Sequence, residues 1–297
     1  MAKILIAGGS GLIGRELVKL LRDEGFDVFI LSRNPKENQF YWNIEKGEID
    51  RTAFENTEVI INLSGENIGE KRWTKAQKQK IFDSRVKSTE LLFTKVKEYN
   101  SIPKVLISAS AIGFYGAINS EKIFAENDEA GTDFLANVCK AWEEKVFEFE
   151  KMGTRVVILR TAVVLAKNGG ALARMLPLAK NHISTQLGNG KQFMPWIHID
   201  DLYRIYLFAI KNSINGIFNA VAPEHTTNNE FAETLATAVQ RKIWTPAAPA
   251  FILKIVLGEM AEILLNGSRI SANKIRNADF QFTFPNLKDA LRNIVDT

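Results

Sequence analysis

The stretch Gly8-Gly9-Ser10-Gly11-Leu12-Ile13-Gly14 constrains this chain more than any other. It follows a short apolar run, Lys3–Ala7, and opens an amphipathic one, so it reads as the turn of a strand–loop–helix unit. In that setting the first glycine makes the tight turn, the next lets backbone approach a pyrophosphate, and Gly14 lets the helix close against the strand. The helix then begins with unpaired amides at the positive end of its dipole, where a phosphate is stabilised. A glycine-rich turn needs no ligand by itself. At the head of a βα unit the same residues point to a dinucleotide held over Gly8, Gly9, Ser10, Gly11, Leu12, Ile13 and Gly14.

The rest of the chain repeats the unit. Runs rich in β-branched residues predict strands at Lys3–Ala7, Asp27–Leu31, Val59–Leu63, Lys104–Ser108, Arg155–Leu159 and Ile217–Ala220. Amphipathic stretches predict helices at Leu12–Glu24, Thr74–Tyr99, Asp133–Met152, Gly170–Ala179, Ile199–Lys211 and Asn228–Gln240, with a last one over Phe251–Leu264. This alternation predicts an α/β fold: a Rossmann-type doubly wound parallel sheet with a smaller, mostly helical C-terminal substrate part. Residues 1–225 are expected to form the dinucleotide-binding domain, with substrate-part insertions from about residue 160, and 226–297 a helical C-terminal domain.

With 297 residues and 46% hydrophobic composition the chain can bury a sizeable core. Its net charge of +4 comes without any basic run, which argues against a nucleic-acid partner. Cys139 stands alone, and His182, His198 and His225 are scattered, so no disulfide or metal site is expected. The longest apolar stretch, Phe251 to Leu265, is interrupted by Lys254, Glu259 and Glu262, so a cytoplasmic protein with no membrane span is expected.

The second strand runs into Ser32-Arg33-Asn34, with no Asp or Glu to grip a ribose 2′-hydroxyl. Arg33 can pair with a 2′-phosphate and Ser32 can add a hydrogen bond, which favours NADP as cofactor. The alternative is that Arg33 stacks on the adenine or faces solvent.

The Gly-x-x-Gly-x-x-Gly spacing is accompanied by Asn62-Leu63-Ser64-Gly65-Glu66, Ser108-Ala109-Ser110-Ala111-Ile112-Gly113-Phe114-Tyr115-Gly116 and Trp196-Ile197-His198-Ile199-Asp200-Asp201. With these motifs, and over essentially its whole length, the chain resembles the atypical extended short-chain dehydrogenases labelled epimerase family proteins or cell-division inhibitors, which carry a C-terminal domain of unknown function. The resemblance implies the NAD-dependent epimerase/dehydratase class, with Leu63, Ser64 and Gly65 beside the cofactor. Extended members work through a Ser or Thr after a central strand and a Tyr-x-x-x-Lys on the next helix, where the lysine lowers the tyrosine pKa and holds the nicotinamide ribose. Here that helix reads Phe134-Leu135-Ala136-Asn137-Val138-Cys139-Lys140. With Lys140 in the lysine place, Ala136 replaces the tyrosine; shifted by one, Leu135 and Cys139 take the two places. Either register removes the phenol.

What remains for chemistry is Ser110, at or beside the catalytic hydroxyl position, Tyr115 and Glu66. Each has a second reading: Ser110 satisfies strand-end backbone, Tyr115 packs beneath the cofactor, and Glu66 is a solvated loop carboxylate. Arg85 and Lys140 are expected at the cofactor, although Arg85 can instead form a salt bridge inside the fold or point its fork at an anionic substrate. Cys139 reads as a small apolar helix residue, His198 as a buried anchor, and Trp73 and Trp196 as core. The expected function is hydride chemistry on a small hydroxylated or sugar-like substrate. The rival is an NADP(H)-binding sensor or scaffold acting through a protein partner, in cell division as the label implies. The apolar C-terminal helix is expected to pack on the substrate part and to face a partner or a second copy, as in a homodimer, while contributing little to cofactor binding. Arg269, Lys274 and Arg276 either rim the pocket mouth or form a solvated face.

A bidentate arginine–phosphate contact contributes roughly 1.5–3 kcal/mol, about tenfold to over a hundredfold in affinity. NADP(H) should therefore bind more tightly than NAD(H), and Arg33→Ala should erase most of the difference. Equal titration midpoints in the unmodified protein would remove the basis for this assignment.

Overall fold

The computed structural model describes residues 2–296. In chain order the elements are β1 (Lys3–Ala7), α1 (Leu12–Asp23), β2 (Asp27–Ser32), β3 (Gln39–Asn43), β4 (Glu48–Ile49), β5 (Thr57–Asn62), α2 (Lys75–Glu98) and β6 (Val105–Ala111). There follow β7 (Ile123–Phe124), α3 (Phe134–Phe147), β8 (Arg155–Thr161), β9 (Val163–Leu165), α4 (Gly170–Lys180), β10 (Trp196–His198), α5 (Ile199–Lys211), β11 (Gly216–Ala220) and α6 (Asn228–Ala238). The C-terminal segment adds α7 (Ala250–Leu257), α8 (Glu262–Leu265), β12 (Arg269–Ile270), α9 (Asn273–Asn277) and α10 (Leu287–Asp296).

The main sheet has the order β11-β8-β6-β5-β1-β2-β3-β4, parallel except for β4. Strands run outward from β1 in both directions, so the order reverses between β1 and β5. At such a switch point the loops at the carboxyl ends of the strands part and leave a crevice. This is the Rossmann-like doubly wound sheet that the βα alternation predicts.

Side-chain alternation builds the two layers. Ile4 and Ile6 of β1 face one side with Val59, Ile61, Val105 and Ile107, and α1 and α5 cover them with Leu17, Leu21, Leu202 and Ile205. Leu5 and Ala7 face the other side with Ile60, Leu106 and Ile158, covered by Leu92 and Val96 of α2 and by Trp142 and Val146 of α3. Both faces are dry, as a parallel sheet requires.

Besides short added elements such as β7, β9, β10, β12 and α9, the structure departs from the expected pattern in three places. The expected helix over Phe251–Leu264 is divided at Gly258, whose φ of +61° is left-handed, into α7, a 3-10 turn and α8. Phe251, Ile252, Ile255 and Val256 of α7 remain exposed. The aromatic and polar residues of β3 do not predict the β3–β4 ribbon. Helix α10 also lies outside the expected pattern, although Leu287, Ala290, Leu291 and Ile294 bury a helical stripe behind the Asn286 cap.

The C-terminal segment is tied into the main core. Ile275 and Phe280 pack in the α1–α5 layer. The fully buried Asp201 carboxylate accepts the amides of Thr283 and Phe284, each at 2.8 Å, and pairs with Arg204. Arg269 pairs with Glu121, and Lys274 donates to the Ile217 carbonyl on the edge of β11.

His198 is buried against Phe284, ring centroids 3.9 Å apart, and its Nδ1 accepts the Asp200 amide at 3.1 Å. Burial pulls its pKa below the ordinary imidazole range in spite of Asp200 and Asp201 nearby. Below about pH 6.5 the unfolded chain takes up a proton that folded His198 refuses, so stability is lost as pH falls through that value. Melting temperatures between pH 7.5 and 5.5 should fall more steeply for the unmodified protein than for His198→Gln; parallel slopes would contradict the assignment.

Candidate dinucleotide site

The loop after β1 is shaped by contacts that exclude side chains. Gly8 has φ of +79°, and a Cβ there would lie 2.7 Å from the Leu63 carbonyl carbon at the end of β5. A Cβ on Gly14 would lie 2.5 Å from the Gly9 Cα, and one on Gly9 would meet Ile30 at 2.8 Å. Close approach is thus needed at Gly8, Gly9 and Gly14, whereas Gly11 acts as the N-cap of α1, extended and without a side-chain cap. The first-turn amides of Leu12, Ile13 and Gly14 have no acceptor within the helix. Beside them Ser64 Oγ is buried and has no partner among the described residues. Unpaired buried groups are costly unless a ligand satisfies them, and these donors fit a pyrophosphate.

The loop divides the crevice. On the β2 side Ser32 Oγ accepts the Asn34 amide, and Arg33 is exposed. On the β5 side the Ser64–Glu66 turn is held by α2: the Glu66 amide donates to Ser84 Oγ at 2.8 Å, and Arg85 Nη1 donates to the Glu66 and Ile81 carbonyls, each at 3.1 Å. The half-buried Glu66 carboxylate accepts from Gln77 Nε2.

Ser110 and Tyr115 lie together, but beneath the crevice. Ser110 Oγ is buried and donates to Glu143 Oε1 at 2.6 Å. Glu143 in turn takes both arms of Arg160, Nε at 2.9 Å and Nη2 at 2.8 Å. Arg160 Nη1 donates to the Tyr115 hydroxyl at 3.0 Å, and that hydroxyl donates to Asn219 Oδ1 at 2.7 Å. Tyr115 is 2% exposed with both hydrogen-bonding directions filled, and burial pushes its pKa up to about 12. Its hydroxyl is an internal link between Arg160 and Asn219. The proton of Ser110 is likewise committed to Glu143.

Glu143, Arg160 and Asn219 do not stand out as site residues in the sequence, although a signal exists. Glu143 falls on the apolar face of α3, four residues from Cys139, and Arg160 ends the run Val-Val-Ile-Leu of β8. Opposite charges on two buried faces require each other.

The structure also fixes the register of α3. Leu135 and Cys139 pack under the turn at Ile112–Gly113, while Lys140 is on the outer face, exposed. Burial first, then Glu143, raises the Cys139 thiol to about 12 in spite of Arg85, so the sulfur is neutral and unreactive. Among the described residues no three His, Cys, Asp or Glu side chains cluster as metal ligands, and no helix is long and apolar enough to cross a membrane.

A doubly wound sheet with an uncapped helix facing a glycine cradle at its switch point defines a dinucleotide-binding protein of the short-chain dehydrogenase type. The sequence matches the NAD dependent epimerase/dehydratase family over residues 4–220 and a domain of unknown function, DUF1731, over residues 248–294. It is 39% identical over 295 residues to an epimerase family protein of Mycobacterium leprae, covering 98% of this chain and 94% of that one. An epimerase family protein of Staphylococcus aureus (strain N315) is 36% identical over 306 residues, covering 99% of both. A human epimerase family protein crystallised with NADPH superposes with a TM-score of 0.89 at 30% identity, covering 99% of each chain. The chain belongs to the NAD dependent epimerase/dehydratase family.

Removing one member of a buried ion pair strands the other and costs about 3–5 kcal/mol. Glu143→Ala should lower the urea-unfolding free energy by that amount. A loss below about 1 kcal/mol would mean that Arg160 finds another partner.

Proposed function

We propose that this chain binds NADP(H) across the carboxyl ends of β1, β2, β5 and β6 and transfers hydride to and from a small hydroxylated, sugar-like substrate. The observation that carries the reading is the set of uncapped α1 amides facing the Gly8–Gly14 cradle. Exposed Arg33 at the end of β2, where NAD-specific sites place a carboxylate, supports the 2′-phosphorylated cofactor, as does the human relative solved with NADPH.

In this reading Gly8, Gly9, Ser10, Gly11, Leu12, Ile13 and Gly14 hold the pyrophosphate, Ser32 and Arg33 the adenosine ribose phosphate, and Leu63, Ser64 and Gly65 the opposite half. The bound nicotinamide supplies the hydride chemistry. Ser110 and Tyr115 stiffen the floor through Glu143 and Arg160, and Glu66 is the remaining group that takes or gives the proton. Without the usual Tyr-x-x-x-Lys the acid–base help is weaker, and turnover is slow.

A second reading, a cofactor sensor that acts through a protein partner, is favoured by the same enclosed hydroxyls and by the exposed Phe251, Ile252, Ile255 and Val256 on α7. NADPH titration, followed by its oxidation with a panel of ketones and nucleotide sugars, separates the two. Oxidation that drops about a hundredfold in Glu66→Gln supports the enzyme. Binding without oxidation supports the sensor, and absence of NADPH binding sinks both.

A further inference from the structure

Arg85 carries a charge that the described fold does not balance. It comes from the middle of α2, and its guanidinium lies flat against the Ser64–Glu66 turn: a Cβ added to Gly65 would sit 2.9 Å from Cζ and 3.0 Å from Nη2. All of its hydrogen bonds among the described residues run from Nη1, to the Glu66 and Ile81 carbonyls and weakly to Ser84 Oγ at 3.5 Å. Nε and Nη2 make none there, and no carboxylate among the described residues pairs with it. The carboxylate that acts on it electrostatically, Glu66, accepts from Gln77.

Arg85 is half-buried, and burial lowers its pKa in spite of Cys139 and Glu66, while the group remains ionised. Its Nε and Nη2 are not sealed from solvent, so a half-buried cation presents two donors to whatever enters the crevice. The environment is built to keep it there: two backbone carbonyls orient the fork, Trp142 supports it with its ring 5.5 Å away, and residue 65 has no side chain to displace it. Cys139 on α3, neutral and buried, brings it no counter-charge.

The switch-point topology places this fork in the half of the crevice opposite Arg33, beyond the glycine cradle. We propose that Arg85 is the cationic subsite of that half, its Nε–Nη2 edge donating to acceptor oxygens of the ligand, which come either from the cofactor's second ribose or from an anionic group of the substrate. This inference rests on the dinucleotide reading of the site, and Arg33 and Arg85 together hold the two ends of the ligand.

The test is binding, with Arg85→Ala and Arg85→Lys checked for unchanged melting temperature. NADP⁺ and adenosine 2′,5′-bisphosphate, which lacks the second ribose, are titrated into each protein, and malonate is titrated into the NADP⁺-saturated forms. An arginine fork donating to a ligand is expected to contribute tenfold or more in affinity, at the scale of about 1.5–3 kcal/mol for charge-assisted hydrogen bonds. Loss of that size for NADP⁺ in Arg85→Ala, with bisphosphate binding unchanged and partial recovery in Arg85→Lys, assigns the subsite to the cofactor ribose. Unchanged NADP⁺ with loss of malonate binding assigns it to a substrate anion. Retention of both, or an equal fall for NADP⁺ and bisphosphate, overturns the proposal. If the unmodified protein binds neither nucleotide, the cofactor reading itself fails.

Discussion

The contact between Gly8 and the end of β5 sets the geometry on which everything else rests. A φ of +79° favours glycine there, and a Cβ would lie 2.7 Å from the Leu63 carbonyl, so the position takes no side chain. That contact draws the loop down over the sheet, Gly14 lets α1 follow, and the first-turn amides end up facing the crevice at the switch point. An alanine at either position would push α1 away from the sheet and remove the anion site along with the packing. Stability and ligand capacity are therefore properties of the same few atoms.

Beneath the crevice the chain invests in polar burial. The Glu143–Arg160 pair, with Ser110, Tyr115 and Asn219 attached, joins β6, α3, β8 and β11 through hydrogen bonds instead of apolar packing. Buried ion pairs add little net stability over an apolar core, but they accept only one arrangement, because any slip strands a charge. Such a floor fixes where the ends of β6 and β8 stand relative to α3. It also engages in hydrogen bonds two hydroxyls that their residue types and motif positions offer to chemistry. Arg85 is the contrast: a guanidinium that is only half-buried and without a carboxylate partner among the described residues.

Much of the architecture is legible in the order of residues alone. The strand and helix runs of the first 240 residues follow hydrophobic period, and period is decided locally by which face of an element must be dry. The departures have identifiable causes. The apolar pattern runs on through residue 264 because Gly258 is tolerated in a helical pattern, and only its left-handed conformation, where the chain returns to pack against Arg72, ends α7. The β3–β4 ribbon owes its existence to the open edge of β2, a requirement that five residues cannot announce.

Residue type at short spacing is enough to specify the doubly wound sheet, the anion-binding turn and the positive charge at the end of β2, so these belong to the sequence. The direction of side chains that a sequence can only place on an element belongs to the tertiary structure. Lys140 and Cys139 are neighbours on α3, yet one faces water and the other the crevice wall; Ser110 and Tyr115 carry hydroxyls that long-range partners 33 and 104 residues away have claimed. A hydroxyl or a guanidinium is free for a ligand only if no buried group in the fold needs it more, and that balance is settled between elements far apart in the chain.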